Sequence, residues 1–270
     1  MKYKLLALDM DGTTLNSEKK ISAATANAIS KLVKKNIHVV LSTGRGLAEL
    51  ADYSKEIKPI NYGILISGGM IYDFFEKKPI ISHALQEKIL FELIDGAVAE
   101  NAMIQLLTVN DSITREKDIL NMKDFGMEIY QDMYFRNCVR CDDFKKFIRE
   151  NPEKILKLNI YHRSKKSREK NLKRFENLDV TFSYAEETAL EVSPKNITKA
   201  SGLYELCKFL KIDVSETVVV GDAPNDLEIL RAAGVAAVMG NASDEIKKVA
   251  DFVTADNDHD GVVKVIQKYF

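Results

Sequence analysis

Residues 5–13 read LLALDMDGT, an apolar run that passes directly into acidic residues and a glycine. Four consecutive apolar residues are long enough for a buried parallel strand, and Gly12 with Thr13 marks the end of that strand. Ligands bind at the carboxyl ends of the strands in a parallel sheet. Side chains alternate along a strand, so Asp9 and Asp11 start on the same side of it. Two crowded carboxylates repel each other unless a cation lies between them. The stretch therefore predicts a Mg2+ site with one carboxylate left for chemistry. A solvated acidic turn would also explain these residues.

A second apolar strand, residues 37–41, ends in the sequence Ser-Thr-Gly-Arg at 42–45, ahead of a predicted helix over 47–57. The hydroxyl of Thr43 and the backbone N–H of Gly44 would then lie at a strand end and a helix N-terminus, an arrangement that binds phosphate readily. Serine and threonine also commonly cap helices, and this segment by itself favours the cap.

A third strand end carries two more acids, in the sequence VVVGDAPND at residues 218–226. Pro224 is suited to open the next helix. A helix cap explains one aspartate here, but hardly both Asp222 and Asp226 beside Asn225.

Lys199 begins a predicted helix that runs to about Leu210, and by itself it is typical of a solvated surface lysine. Together, the four elements DxDGT, STGR, a lone lysine and GDxxND, in this order, resemble the haloacid dehalogenase superfamily. The long gap between the second and third elements and the string DHDGV at 258–262 resemble its Cof-type branch, whose members hydrolyse small phosphorylated metabolites. Two departures are Ile-Ser-Gly-Gly at 66–69, where this branch often has Asn-Gly-Ala, and His259, where many relatives have Asn or an acid.

The resemblance implies a Mg2+-dependent phosphatase, and the chemistry of the residues fits that reaction. Asp9 is the predicted nucleophile, because a carboxylate at a strand tip beside Mg2+ is desolvated and faces phosphorus, and it would form an aspartyl-phosphate. Asp11 would protonate the leaving alkoxide and then take a proton from the attacking water. The expected metal ligands are the carboxylates of Asp9 and Asp222 and the backbone carbonyl of Asp11. Asp226 would hold a metal-bound water or orient Asp222.

The phosphoryl oxygens that face away from the metal need donors, because charge spreads over them during transfer. The expected phosphate-binding residues are Thr43, Gly44, Lys199 and Asn225.

Two other classes share parts of this pattern. A phosphosugar mutase of the same superfamily would share Asp9 and Asp11, but it would need a bisphosphate activator and would return the phosphate to sugar. A phospho-acceptor signalling module also uses one aspartate at a strand tip, but it needs neither an acid two residues on nor a large insert. The four intact motifs disfavour a catalytically inactive binding module.

Short β-branched runs alternate with helical periodicity on both sides of a long middle segment. Residues 1–82 read strand, helix, strand, helix, strand. Residues 194–270 read helix, strand, helix, strand, helix, strand, helix. This alternation predicts an α/β fold whose catalytic core is a doubly wound, Rossmann-like parallel sheet formed by both segments. The apolar positions of the helix over 22–36 recur near period 3.6, as packing on a sheet requires.

Residues 83–193 are predicted to form a smaller inserted α/β domain. Its helical stretches are 85–101, 142–150 and 167–177, and its strand-like stretches are 103–109, 155–161, 180–184 and 189–192. The resemblance implies that this insert is a cap domain that closes over the active site and selects the substrate. One sequence gives no motif for the leaving group, and the candidates by resemblance are sugar phosphates, a flavin-pathway phosphate and pyridoxal phosphate.

Composition agrees with an enzyme of this kind. The 270 residues carry 39 Lys and Arg against 40 Asp and Glu, a net charge of -1, which gives no reason to expect nucleic acid or an acidic membrane as a partner. The apolar N-terminal run is far shorter than the roughly 7 to 15 residues of a signal-peptide core, and no stretch approaches the ~20 that span a bilayer. We therefore expect a cytoplasmic enzyme, monomeric or weakly dimeric, whose partner is a small-molecule phosphate ester.

Three cysteines, Cys138, Cys141 and Cys207, cannot all pair, and an intracellular enzyme keeps them reduced. Cys138 and Cys141 form a CxxC pair, but a zinc site would need a second pair or a Cys/His set, and the histidines show no matching spacing. A metal or redox role is therefore disfavoured.

Overall fold

The computed structural model describes residues 2–151, 154–184 and 187–270. They form two compact units. Of these residues, the core unit comprises 2–44, 53–81 and 198–270, and the inserted unit comprises 45–52, 82–151, 154–184 and 187–197.

Strands and helices alternate along much of the chain. The strands are β1 (Leu5–Leu8), β2 (His38–Ser42), β3 (Tyr62–Leu65), β4 (Met70–Asp73), β5 (Lys78–Ser82), β6 (Met103–Leu107), β7 (Ser112–Thr114), β8 (Cys138–Arg140), β9 (Lys157–Tyr161), β10 (Val180–Ser183), β11 (Ala189–Pro194), β12 (Thr217–Gly221), β13 (Val235–Val238) and β14 (Phe252–Val253). The α-helices are α1 (Ala23–Lys34), α2 (Leu47–Leu50), α3 (Glu87–Ala99), α4 (Glu116–Leu120), α5 (Gln131–Asn137), α6 (Phe144–Glu150), α7 (Lys165–Arg174), α8 (Lys199–Leu210), α9 (Leu227–Ala232), α10 (Asp244–Lys247) and α11 (Gly261–Tyr269).

The sheet of the core unit runs in the order β14-β13-β12-β1-β2-β3-β4-β5. The strands from β14 to β3 pair in parallel, whereas β4 lies antiparallel to β3. One half of the sheet is built outward from β1 through β2 and β3, and the other outward from β12 through β13 and β14. The strand order therefore reverses between β1 and β12, and in such sheets ligands bind outside the carboxyl ends of the strands at the reversal.

All residues of β1 and β12 are buried, as expected where helices cover both faces of a parallel sheet. On one face Leu5 and Val219 belong to the same apolar cluster as Leu203 of α8. Helix α1 begins at its N-cap Ser22, whose side chain accepts a hydrogen bond from the N–H of Thr25, and it contacts α11 and β2. The predicted doubly wound α/β core is confirmed.

The sheet of the inserted unit runs in the order β10-β11-β9-β6-β7-β8. Its pairs are antiparallel, except that β7 and β8 are parallel. Ile104, Leu158 and Val192 pack with α3 and α6 on one face. Gln105 and Asn159, which pair across β6 and β9, place buried polar side chains on the other. The predicted smaller α/β insert is confirmed, and its role as a cap stays a prediction.

The segment after β2 differs from the prediction. The helix expected over 47–57 is a single turn, Leu47–Leu50, followed by a 3-10 turn. Residues 45–52 belong to the inserted unit, although the sequence placed them with the core. Within that unit, Glu49 accepts a hydrogen bond from the side chain of Gln105 at 3.0 Å, a contact between residues far apart in the sequence.

The predicted elements of the insert lie within a few residues of their predicted positions, but the strands β7 and β8 and the short helices α4 and α5 were missed. Each of these two strands has only three residues, too few to display the alternation that predicts a strand. The strands β4 and β5 at the edge of the core sheet were missed as well.

Candidate active site

Three aspartates meet where the strand order of the core sheet reverses. Asp9 follows β1, and its N–H donates to the carbonyl of Val220 in β12 at 2.9 Å. Asp222 follows β12, and Asp226 ends the 3-10 turn Pro224–Asp226. One carboxylate oxygen of each aspartate lies within 4.8 Å of the others.

Lys199, the first residue of α8, reaches into this cluster. The N-cap Thr198 fixes where the helix begins, because its hydroxyl accepts a hydrogen bond from the N–H of Ser201. The ammonium Nζ of Lys199 lies 2.6 Å from Asp9 Oδ1 and 2.8 Å from Asp226 Oδ1, and all three side chains are buried. Burial by itself lowers the pKa of Lys199, but the two carboxylates outweigh burial and raise that pKa, so the ammonium stays charged.

Asp226 also holds the loop that carries Asp222. Its Oδ2 accepts hydrogen bonds from the N–H groups of Asp222 and Ala223 at 3.1 and 3.2 Å. A Cβ on Gly221 would come within 2.7 Å of the Asp226 carboxyl, so this close approach requires glycine. The glycine and the last acid of the GDxxND motif therefore shape this strand end together.

The cluster holds more acid than its lysine balances. Burial, and after it the charge of Asp226, raises the pKa of Asp9 well above its usual value. Burial likewise raises the pKa of Asp222 to about 6, although Thr13 Oγ1 donates a hydrogen bond to its Oδ1 at 2.7 Å. Three carboxylates around one ammonium are an arrangement that a further cation would stabilise.

The residues present fit Mg2+. Carboxylate oxygens are the hard ligands that this ion prefers. The backbone of the DxDGT turn lies directly against one of them, since Gly12, with φ of +79°, leaves no room for a Cβ beside Asp222. The predicted ligands Asp9 and Asp222 are thus brought together with Asp226, which was predicted to support them, and the binding of Mg2+ stays a prediction.

Asp11 lies outside the buried cluster. It forms an isolated bridge with Leu15 in the loop after β1, and its side chain is partly exposed. The ammonium of Lys19 lies 3.0 Å from its Oδ1. The sequence did not single out Lys19, because a lysine in an irregular loop carries no periodic signal. The roles of Asp11 as general acid and as a carbonyl ligand stay predictions.

The predicted phosphate donors lie at the ends of neighbouring elements. Thr43, which is buried, and Gly44 follow β2, the strand beside β1. The N–H of Ser67 donates to the carbonyl of Thr43 at 3.0 Å, which places the Ser-Gly-Gly string next to the STGR motif. Asn225 has a buried Oδ1 with no hydrogen-bond partner among the described residues, and such a buried amide oxygen calls for a partner. Lys199 contacts the predicted nucleophile itself.

Asn241 is a residue at this edge that sequence reasoning missed. Its side-chain Nδ2 donates to the carbonyl of Gly12 at 2.9 Å and to Asp222 Oδ2 at 3.3 Å. A signal was available, because Gly240-Asn241 follows shortly after the apolar run of β13, which makes it a fourth strand end with a polar residue.

A family model of the haloacid dehalogenase-like hydrolases matches residues 6–266. The chain belongs to this family. The predicted superfamily, its Cof-type branch and the prediction of an enzyme are confirmed.

Two relatives of this hydrolase are named phosphatases. Phosphatase YwpJ of Bacillus subtilis is 31% identical over 286 residues, which cover 98% of this chain and 99% of the relative. The 5-amino-6-(5-phospho-D-ribitylamino)uracil phosphatase YcsE of the same organism is 28% identical over 270 residues. The match covers 98% of this chain and 95% of the relative. A solved haloacid dehalogenase-like hydrolase from B. subtilis superimposes with a TM-score of 0.88 at 26% identity, covering 99% of this chain and 100% of that one.

The CxxC pair of this hydrolase is built into the inserted unit. Burial raises the pKa of Cys138 to about 12, and its Sγ donates to the hydroxyl of Ser112 at 3.2 Å. A thiol with so high a pKa is a poor metal ligand and a poor nucleophile.

None of the described helices of this hydrolase combines the length and the apolar content that crossing a bilayer demands.

Proposed function

We propose that this hydrolase is a Mg2+-dependent phosphatase that hydrolyses small phosphorylated metabolites through an aspartyl-phosphate on Asp9. The observation that carries the proposal is the buried cluster of Asp9, Asp222 and Asp226 around Lys199 at the carboxyl ends of β1 and β12. The family and the names of its relatives support the reaction class.

In the first half-reaction an oxygen of the Asp9 carboxylate forms a bond to phosphorus, and the bond from phosphorus to the leaving oxygen breaks. Lys199 holds Asp9 Oδ1 at 2.6 Å and so orients the nucleophile. Asp11 gives its proton to the leaving oxygen, which departs as an alcohol.

In the second half-reaction the oxygen of a water molecule forms a bond to phosphorus, and the bond to the Asp9 oxygen breaks. Asp11, now a carboxylate, takes the proton from this water. The products are inorganic phosphate and the restored carboxylate of Asp9.

Thr43, Gly44, Asn225 and Lys199 serve as donors to the phosphoryl oxygens in this proposal. Buried donors fixed before the reaction stabilise developing charge without having to reorient. Asn225 would donate through its side-chain amide Nδ2, because its Oδ1 can only accept.

The carboxylates of Asp9 and Asp222 and the carbonyl of Asp11 would hold Mg2+, and Asp226 would hold a metal-bound water or orient Asp222. When bound, the ion would neutralise charge on the phosphoryl oxygens.

The inserted unit is proposed to select the leaving group, as a cap domain. The name of YcsE makes a phosphorylated ribityl compound one candidate substrate, and sugar phosphates and pyridoxal phosphate complete the first panel. We further propose a cytoplasmic enzyme that works as a monomer or a weak homodimer, without nucleic acid or a membrane as partner.

The test is release of inorganic phosphate from this panel and from p-nitrophenyl phosphate, with Mg2+ and with excess chelator. Turnover that needs Mg2+ and no bisphosphate activator is expected. A phosphosugar mutase would release phosphate only negligibly and would depend on the activator, whereas a signalling module would be labelled once without turning over. Full turnover in excess chelator would overturn the Mg2+ assignment.

A further inference from the structure

The loop between β1 and α1 is a closed turn that carries Lys19. The N–H of Asn16 donates to the carbonyl of Lys20, and the N–H of Lys19 donates to the carbonyl of Asn16, each at 2.9 Å. The side-chain Oδ1 of Asn16 accepts from the N–H of Lys20 at 2.8 Å. Lys19 has a φ of +58°, in the left-handed region. The backbone of Lys19 is therefore fixed by the turn.

The DHDG string near the C-terminus anchors this loop to the core. Asp258 accepts from the N–H of Ser17 at 2.9 Å and from the hydroxyl of Ser17 at 2.6 Å. Asp260 accepts from the hydroxyl of Ser22 at 2.8 Å, at the other end of the loop. The acids of this string thus hold the segment that leads from the DxDGT motif into α1.

We propose that Lys19 is a positioning residue for Asp11, an inference that rests on the proposed function. Its ammonium lies 3.0 Å from Asp11 Oδ1. A charged hydrogen bond to one carboxyl oxygen restricts rotation of the carboxyl group. The loop fixes the backbone of Lys19, and Lys19 in turn holds the carboxyl of Asp11.

Orientation matters for Asp11 because it takes part in both proton transfers. A general acid must lie within hydrogen-bond reach of the oxygen that receives its proton. Lys19 keeps its own protons throughout: the proton that leaves Asp11 goes to the leaving oxygen, and the proton that Asp11 regains comes from water.

This ion pair contributes little to stability. The side chains of Lys19 and Asp11 are 29% and 35% exposed, and exposed pairs contribute only about 0 to 1 kcal/mol. Losing Lys19 should therefore change the rate of proton transfer more than it changes folding.

The test compares Lys19→Met with Lys19→Arg and with the control Lys20→Met. Lys20 belongs to the same loop, but its ammonium pairs with the exposed Glu18 at 2.9 Å. Two substrates are used with Mg2+: an alkyl phosphate such as glycerol phosphate, whose leaving oxygen needs a proton, and p-nitrophenyl phosphate, whose leaving group needs none.

We expect Lys19→Met to lower kcat for the alkyl phosphate about 10-fold, a part of the roughly 10²- to 10⁴-fold that general acid-base catalysis contributes. The kcat for p-nitrophenyl phosphate should also fall, because the second half-reaction uses Asp11. It should fall less, because this leaving group needs no proton, so the ratio of the two kcat values changes. Lys19→Arg should restore most of the ratio, Lys20→Met should leave it unchanged, and the thermal midpoint should stay within a few degrees. Ser17→Ala, which removes one anchor of the loop, should shift the ratio in the same direction by a smaller factor.

A ratio of the two kcat values that Lys19→Met leaves unchanged, or the same change of this ratio in Lys20→Met, would overturn the proposal. Either result would leave the proposed phosphatase function standing. A wild-type protein that turns over neither these esters nor the metabolite panel would instead refute the proposed function, and this inference with it.

Discussion

The core unit and the inserted unit bury charge in different ways. In the core unit, the carboxylates of Asp9, Asp222 and Asp226 gather around a single lysine. In the inserted unit, Lys157 and Glu191 lie 2.7 Å apart as a buried pair of one acid and one base. A matched pair balances its own charge, whereas a surplus of acid needs something from outside the protein. The surplus of acid is what makes the core cluster the candidate site for a cation and a phosphate.

The largest expected effect is the loss of activity when one of the three clustered carboxylates, that of Asp9, is removed. Asp9→Asn should lower phosphate release by at least about 10⁴-fold, the scale on which removal of a nucleophile acts in other hydrolases. Folding should not suffer, because one of three crowded carboxylates is removed and Lys199 keeps Asp226. Phosphate release and thermal unfolding measure the two effects, and radiolabelled substrate should leave no trappable phosphoenzyme. If the Asp9→Asn protein still became labelled with phosphate, Asp9 would not be the nucleophile.

In the buried pair of Lys157 and Glu191, removing one partner should lower the stability of the protein, unlike the removal of Asp9 from the core cluster. Lys157→Met leaves Glu191 buried without its base and should destabilise the protein by about 3–5 kcal/mol. The double variant Lys157→Met with Glu191→Leu should recover much of that loss, because apolar residues can replace a buried pair. Denaturant unfolding of the two variants measures the difference. Equal losses in both would mean that the pair is not a self-contained unit.

Mg2+ should stabilise the folded protein by binding to the cluster of the core unit, which an ordinary acidic surface would not do. An ion at 100 times its dissociation constant stabilises the folded state by about 2.7 kcal/mol, so the thermal midpoint should rise with Mg2+ and fall again with chelator. Asp222→Asn should abolish most of the rise. Glu245→Gln, which removes an exposed carboxylate in α10, is the control and should retain it. The same midpoint with and without Mg2+ in the wild type would contradict the site.

The smallest effect concerns a neutral polar group in the inserted unit. His162 lies 3.0 Å from the carbonyl of Thr188 through Nδ1 and 3.0 Å from Asn171 Nδ2 through Nε2, so a neutral ring that donates at Nδ1 and accepts at Nε2 satisfies both partners. Burial lowers the pKa of His162 in the folded protein. The unfolded chain then binds more protons, and stability should decline as the pH falls through about 6.5, the ordinary value for histidine.

His162→Gln should flatten this decline, while His83→Gln, in the same unit, should leave it in place. Denaturant midpoints between pH 7.5 and 5.5 provide the measurement. A decline of the same size in His162→Gln and in the wild type would assign it to other groups.

Much of the core fold was encoded locally. The order of elements from α8 to α11 matches the prediction, because each strand is a short apolar run and each helix has its own period. The sequence also placed acids at the ends of β1 and β12, since a polar residue after a buried strand marks its carboxyl end. The sequence also predicted that α8 begins at Lys199, and the structure adds that Thr198 caps this start.

Contacts between distant residues were decided only by the tertiary structure. Lys199 bonds to Asp9 across 190 positions of the chain, and the sequence identified both without indicating that one holds the other. Lys19 on Asp11 and residues 45–52 in the inserted unit likewise escaped prediction. Local propensity and periodicity describe neighbours along the chain, whereas the balance of buried charge depends on which side chains the fold brings within a few ångströms.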